Sequence, residues 1–323
     1  MRKKLLASLV LVTSLSIALW AAPDSSHRRK ILFFTKSSGF EHSVISWKSG
    51  RPSHAEKVLL ELGEKNGWEF VFSKDGSKFN KEYLAQFDCV LFYTTGNLCE
   101  PGTDGQPAMT LEGKQALIDY VRGGKGFAGT HSASDTFHTG DESQKGPDRY
   151  RNHGEKADAY VRFLGGEFIK HGAQQTAQNT VTDSKFPGFG KADAGFALLE
   201  EWYSLKDFAP DIHVLNVIDA PKMKGPEYDR PPYPTTWARQ EGTGRVFYTA
   251  LGHREEVWTN PLFRDILTGA LRWAMGDVKA AIPPNLKETA PGAMTNPPFV
   301  PPPEPKPKAA ASPAPKPASS LPR

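Results

Sequence analysis

Three histidines follow the ends of short apolar runs: His42 in Thr35-Lys-Ser-Ser-Gly-Phe-Glu-His-Ser43, His131 in Gly129-Thr-His-Ser-Ala133, and His253 in Ala250-Leu-Gly-His-Arg-Glu255. Imidazole titrates near neutral pH and serves as general base, general acid or metal ligand. The stretch Gly129–Ala133 puts small residues on both sides of one reactive side chain. That is the composition of a tight strand-to-helix elbow, whose cramped backbone pushes the central side chain into a crevice. A nucleophile elbow carries Ser or Cys at its centre. Here the centre is His131, so acid/base or ligand chemistry is expected in place of a covalent step.

Glu201 adds a carboxylate, and with it His42, His131 and His253 form the expected catalytic group. The same three histidines are, alternatively, ligands for a divalent metal such as Zn, since neutral imidazole with a carboxylate suits such an ion. No close-spaced H-E-x-x-H or H-x-H supports that alternative. Ser38, Asp135, His171, Trp202, Tyr203 and Trp237 are the expected substrate-binding residues, giving a polar pocket with an aromatic rim. Glu200 reads as solvated, and His54, His138, His153 and His213 as surface or loop residues. The glycines of Gly123-Gly-Lys-Gly126 precede a strand and lack the G-x-G-x-x-G spacing, which disfavours a dinucleotide site.

The elements that must position these groups follow from periodicity. Lys30–Thr35, Trp68–Phe72, Cys89–Thr94 and Gly126–Thr130 read as buried strands. Between them, Ser53–Gly67, Asn80–Phe87 and Thr110–Arg122 read as helices, the first capped by Ser53. Strands alternating with helices imply a parallel sheet covered on both faces, with a ligand crevice beyond the carboxyl ends of the strands. The second half is less regular. Ala157–Leu164 reads as helix, a strand near Phe168 leads to His171, and Thr176–Thr182 and Ile212–Ile218 read as strands. Thr235–Arg239 and Arg245–Leu251 form a hairpin, and Pro261–Met275 a closing helix.

The ends differ from the rest. Met1–Ala22 has the basic start and apolar run of an export signal, with Leu19 or Trp20 where a small residue is usual, and an uncleaved anchor is the alternative. Residues 283–323 hold 14 of the 27 prolines and read as a disordered, polyproline-like tail. One domain is expected between them, over 23–282. The formal charge of +4 belongs to these ends, +3 from each, which leaves the domain at −2 and gives no support for nucleic-acid binding. After removal of the signal no stable membrane insertion is expected. Cys89 and Cys99 flank a run that spans about 20 Å as a strand, too far for a disulfide unless the loop folds straight back. Export therefore rests on the signal alone, and the expected location is periplasmic or secreted.

Taken in order, Lys36-Ser-Ser-Gly-Phe-Glu-His42, Gly124-Lys-Gly-Phe-Ala-Gly-Thr-His131, Phe163-Leu-Gly-Gly-Glu-Phe-Ile-Lys-His171, Glu200-Glu-Trp-Tyr203, Tyr233-Pro-Thr-Thr-Trp237 and Gly244-Arg-Val-Phe-Tyr-Thr-Ala-Leu-Gly-His253 resemble the trehalose-utilisation, ThuA-like family over roughly 30–276. Glu200 stands where that family often has Asp, and Phe186-Pro187 where it often has His-Pro. The resemblance implies a flavodoxin-like three-layer α/β sandwich with a mainly parallel sheet, similar to class I glutamine amidotransferases. In those enzymes Cys and His occupy the places of His131 and His253. Without a thiolate, glutamine amidotransfer is not available. The implied partner is a small-molecule carbohydrate, with oxidised (3-keto) glycosides as a substrate class. A non-catalytic sugar-binding module and a metal-dependent hydrolase are the alternatives.

Overall fold

The computed structural model describes residues 28–140 and 146–301. The expected export signal, and the tail beyond 301, lie outside the described residues. Among those described, no helix is long and apolar enough to cross a membrane.

The first half alternates as its sequence does: β1 (Lys30–Phe34), α1 (His54–Asn66), β2 (Glu69–Ser73), α2 (Lys81–Leu84), β3 (Cys89–Phe92), α3 (Leu111–Arg122) and β4 (Gly126–Thr130). The runs Ile31–Phe34 and Cys89–Phe92 are wholly buried, as strands covered on both faces require. Helix α1 buries Val58, Leu59 and Leu62 on one face. It starts with a reciprocal capping box, in which the Ser53 side chain accepts from Glu56 N and the Glu56 carboxylate accepts from Ser53 N. It ends at Gly67 in the left-handed conformation. Such an N-cap contributes about 1 kcal/mol.

The second half contains α4 (Ala159–Leu164), β5 (Glu167–His171), β6 (Gln175–Val181), β7 (Phe196–Glu200), β8 (Tyr203–Lys206), β9 (His213–Ile218), β10 (Tyr233–Glu241), β11 (Gly244–Thr249), α5 (Glu255–Thr259), α6 (Pro261–Ala274) and α7 (Leu286–Thr289). Nine strands form one sheet in the order β2-β1-β3-β4-β11-β10-β9-β6-β7, while β5 and β8 pair separately. From β2 to β11 every pairing is parallel; from β11 to β7 every pairing is antiparallel. The expectation of a mainly parallel sheet is therefore corrected to a mixed one. The tight Glu241–Gly244 hairpin sets β10 against β11, and each strand from there to β7 runs against its neighbour. The helices form two mutually contacting groups, α1–α5–α6 and α2–α3–α4, and members of each pack on the sheet.

The tail expectation is corrected for residues 283–301. Leu286, Ala290 and Ala293 are buried, the Asn285 side chain accepts from Val214 N at 2.6 Å, and Arg230 donates to the Ala293 carbonyl at 2.6 Å. These apolar anchors and hydrogen bonds dock the proline-rich stretch on the domain. Cys89 is buried in β3, and both it and Cys99 are free thiols.

Candidate functional site

Parallel strands all point their carboxyl ends to one side, and β1, β3, β4 and β11 lie side by side. His42 follows β1, His131 follows β4 and His253 follows β11. Their imidazoles converge: ring centroids are 4.9 Å apart for His42–His131, 5.3 Å for His42–His253 and 5.1 Å for His131–His253. Glu201 arrives from the other half of the sheet, just after β7. One ligating atom from each of His42, His131, Glu201 and His253 lies within 4.8 Å of the others.

The elbow is built as its composition requires. His131 sits at φ +44°, a left-handed conformation that costs a non-glycine residue strain and persists only where the surroundings impose it. A side chain at Gly129 would meet Ala133 Cβ at 2.9 Å, so the turn closes only over glycine. On the opposing loop, Gly252 takes φ +124°, and its carbonyl accepts from Tyr93 Oη at 3.0 Å and Trp258 Nε1 at 2.8 Å.

Proton positions follow from the partners. His131 Nδ1 faces the Ala250 carbonyl at 3.1 Å. A carbonyl only accepts, so Nδ1 carries a proton, and Nε2 is the ring nitrogen that faces the cluster. That Nε2 is 3.4 Å from Glu201 Oε2 and 3.3 Å from His253 Nδ1, and His253 Nδ1 is 3.1 Å from the same carboxylate oxygen. The other oxygen, Oε1, is 3.3 Å from His171 Nδ1. Burial pushes the Glu201 carboxyl up, but hydrogen bonds from His131 and His253 and the charges of His131 and His171 outweigh it and hold the group well below the usual carboxylate range. His42 goes the other way: burial, then the neighbouring His131 and His253, depress it well below an ordinary histidine. Its Nδ1 is buried with no hydrogen-bond partner among the described residues.

Access is one-sided. The side chain of His131 is fully covered, while Glu201 is 12 % exposed, His253 19 % and His171 43 %. A ligand therefore meets Glu201, His253 and His171 first. Tyr203 is buried, its ring 4.2 Å from His131 and 5.9 Å from His171, and it forms a wall of the cluster.

The expected aromatic rim is corrected. Trp202 and Trp237 are fully buried. Trp202 Nε1 donates to the Gln175 carbonyl at 3.1 Å and Trp237 Nε1 to the Leu164 carbonyl at 2.8 Å. With both indoles spent on core packing, neither can stack on a sugar. Ser38 is held in the loop after β1, its N–H on the Thr95 carbonyl and its hydroxyl 3.4 Å from the Glu100 carbonyl. Asp135 binds His138 Nε2 at 2.7 Å and Arg149 at 3.3 Å. Neither Ser38 nor Asp135 belongs to the group of four.

Glu200 is the main residue that sequence reasoning missed, and the expectation of a solvated side chain is corrected. It is fully buried. Its Oε2 accepts from Gly252 N at 3.0 Å and His253 N at 3.2 Å, and its Oε1 from Glu201 N at 2.9 Å. One carboxylate thus ties the His253 loop to the Glu201 backbone; burial raises its pKa, against the pull of His131 and of the Gly252 and Glu201 N–H groups. The signal was present: alternation from Phe196 and Leu198 puts Glu200 on the inward face of β7. His138, His153 and His213 are also not free surface groups. Each bonds a carboxylate: His138 with Glu167 and Asp135, His153 with Asp207, His213 with Asp183.

Comparison with known proteins places this fold. A ThuA-like protein from Bacteroides uniformis superposes with a TM-score of 0.57 at 20 % identity, over 83 % of this chain and 99 % of that one. A ThuA-like protein from Parabacteroides merdae gives 0.52 at 16 % identity, over 85 % and 98 %. Such identities speak to fold alone. No curated protein matches the chain. The family model described as ThuA, trehalose utilisation, matches residues 30–274, and the chain belongs to that family.

Proposed function

We propose that this protein acts on a carbohydrate, with His42, His131, Glu201 and His253 as its reaction centre. The family supports a carbohydrate-related role. The observation that carries the reading is the convergence of four ligating side chains from separate strand ends, three of them buried, in a one-sided crevice. Groups brought together from β1, β4, β7 and β11 at the expense of backbone strain at His131 are what a reaction centre needs and a sheet does not.

A 3-keto-glycoside is the favoured substrate class. Its carbonyl acidifies the neighbouring C–H, and imidazole or carboxylate at that position can remove the proton to drive isomerisation or elimination. Amidotransfer stays excluded because the elbow offers imidazole where a thiolate would be required. The sugar-binding module without turnover loses its footing with the burial of Trp202 and Trp237. Export to the periplasm or beyond is part of the proposal and rests on the leader sequence.

The test is to incubate the purified chain with trehalose and with 3-keto-glycosides and follow products by NMR. Turnover should fall by at least about 100-fold in His131→Asn. Equal turnover by wild type and His131→Asn would remove the elbow from the chemistry, and absence of both binding and turnover across the panel would remove the carbohydrate reading.

A further inference from the structure

We propose that His131 Nε2, Glu201 Oε2, His253 Nδ1 and the His42 imidazole hold one divalent first-row cation of the zinc class, with the side facing His171 open to oxygen atoms of a ligand. The proposal deepens the carbohydrate reading and rests on it only for the identity of that ligand.

Spacing is the first argument. Ligands about 2.1 Å from a tetrahedral cation stand about 3.4 Å from one another. Three of the six separations in the cluster are 3.1, 3.3 and 3.4 Å, and the fourth ligating atom keeps every separation within 4.8 Å.

Charge is the second. Glu201 brings an anion, and His131 Nε2 and His253 Nδ1 both face its Oε2; a cation at that point replaces the ring protons that otherwise bridge these groups. The partners found for the Glu201 carboxylate are His131, His171 and His253, with no Lys or Arg among them. The third argument is the outer shell. A ligating histidine characteristically donates its far ring N–H to a carbonyl or carboxylate, fixing the tautomer, and the Ala250 carbonyl does this for His131. The fourth is His42, which is 3 % exposed and keeps an unpartnered buried ring nitrogen. A buried imidazole without a partner is costly in a finished core, and a ligand position accounts for it.

His253 imposes one requirement. Arg254 donates to Gln174 Oε1, which turns the Gln174 amide N–H towards His253 Nε2 at 2.9 Å. Binding through Nδ1 moves the ring proton to Nε2, and the exposed Gln174 amide then turns its carbonyl to accept it, giving up its bond from Arg254, whose guanidinium also donates to Glu256. The donor set contains nitrogen and oxygen and no sulfur, which suits Zn, Mn, Fe, Co or Ni and disfavours Cu(I).

The experiment uses the untagged full chain. Elemental analysis after gel filtration should find one cation per chain. After chelation, titration with Zn²⁺ alone and with Mn²⁺ alone should show one saturable site and a raised melting temperature. His42→Ala, His131→Asn and Glu201→Gln should each weaken binding by more than about 100-fold; Asn is chosen at 131 because it tolerates positive φ. Melting of each variant in chelator, compared with chelated wild type, separates loss of the site from loss of the fold. No retained cation together with no saturable binding would overturn the site, and so would variants that bind as tightly as wild type. Full turnover by chelated wild type overturns the site and leaves the carbohydrate reading standing. A bound cation without sugar binding or turnover upholds the site and overturns that reading.

Discussion

Among the described residues two groups of three or more histidines and carboxylates draw their ligating atoms together, and they differ in what occupies their centre. One is His42, His131, Glu201 and His253; the other is His153, Glu167 and Asp207. In the second, the fully buried Lys206 ammonium stands 3.5 Å from Glu167 Oε2, 3.6 Å from Asp207 Oδ2, 3.2 Å from His153 Nδ1 and 3.0 Å from the Arg151 carbonyl. Its charges are matched from within the chain. Asp207 also accepts from the His153 and Gly154 N–H groups, and His138 bridges Glu167 to Asp135. In the first cluster, imidazoles surround one carboxylate, and among the described residues no Lys or Arg is paired with it. A network neutralised by a buried ammonium is how buried charge serves architecture, whereas a carboxylate ringed by imidazoles at strand ends is how it serves a ligand.

That contrast can be broken most forcefully at Lys206. Lys206→Met leaves Glu167 and Asp207 buried against each other and should cost about 3–5 kcal/mol in chemical denaturation. If the loss is no larger than an ordinary surface substitution, within about 0.5 kcal/mol, Lys206 does not neutralise its cluster and the comparison fails.

The next effect in size is at Glu200, which supports the first cluster without belonging to it. Glu200→Ala leaves the N–H groups of Gly252, His253 and Glu201 without their buried acceptor, at a cost of about 1–3 kcal/mol, and should lower kcat through the displaced His253. Glu200→Gln keeps an acceptor oxygen and should recover much of both losses. Full stability and full turnover in Glu200→Ala would show that the His253 loop is held by other contacts.

The smallest effect is a pH dependence carried by the second cluster. Burial lowers the His138 pKa, but hydrogen bonds to Asp135 and Glu167 outweigh burial and the nearby Arg149, and the net shift is upward from 6.5. A group with a raised folded pKa stabilises fully below its unfolded value and loses that contribution as pH rises through the folded value. Stability from His138 should therefore be complete below pH 6.5 and decline above it. Denaturation midpoints measured across that range should show a shallower decline in His138→Gln; parallel curves would show that His138 is not held charged.

The parallel half of the sheet was legible because burial on both faces writes itself as continuous apolar runs such as Ile31–Phe34 and Cys89–Phe92. The elbow was legible because a turn at φ +44° needs small neighbours. Strands β7 and β8 were not. Phe-Ala-Leu-Leu-Glu and Tyr-Ser-Leu-Lys are short, interrupted by Glu201-Trp202, and owe their extension to pairing with β6 and β5. Trp202 and Trp237 misled for a related reason: an indole reads the same in sequence whether its ring lies in a crevice or a core.

By itself the sequence determined which side chains stand at strand ends, since apolar period and glycine placement are local properties of the chain. His42, His131 and His253 were identifiable on that basis. Tertiary structure alone decided that these three meet, that Glu201 joins them across the switch from parallel to antiparallel pairing, and that Lys206 enters the other cluster. Each of those outcomes depends on strand order, here β1-β3-β4-β11 with β7 at the far edge. Strand order is set by how whole faces pack against one another, and no single stretch of residues carries it.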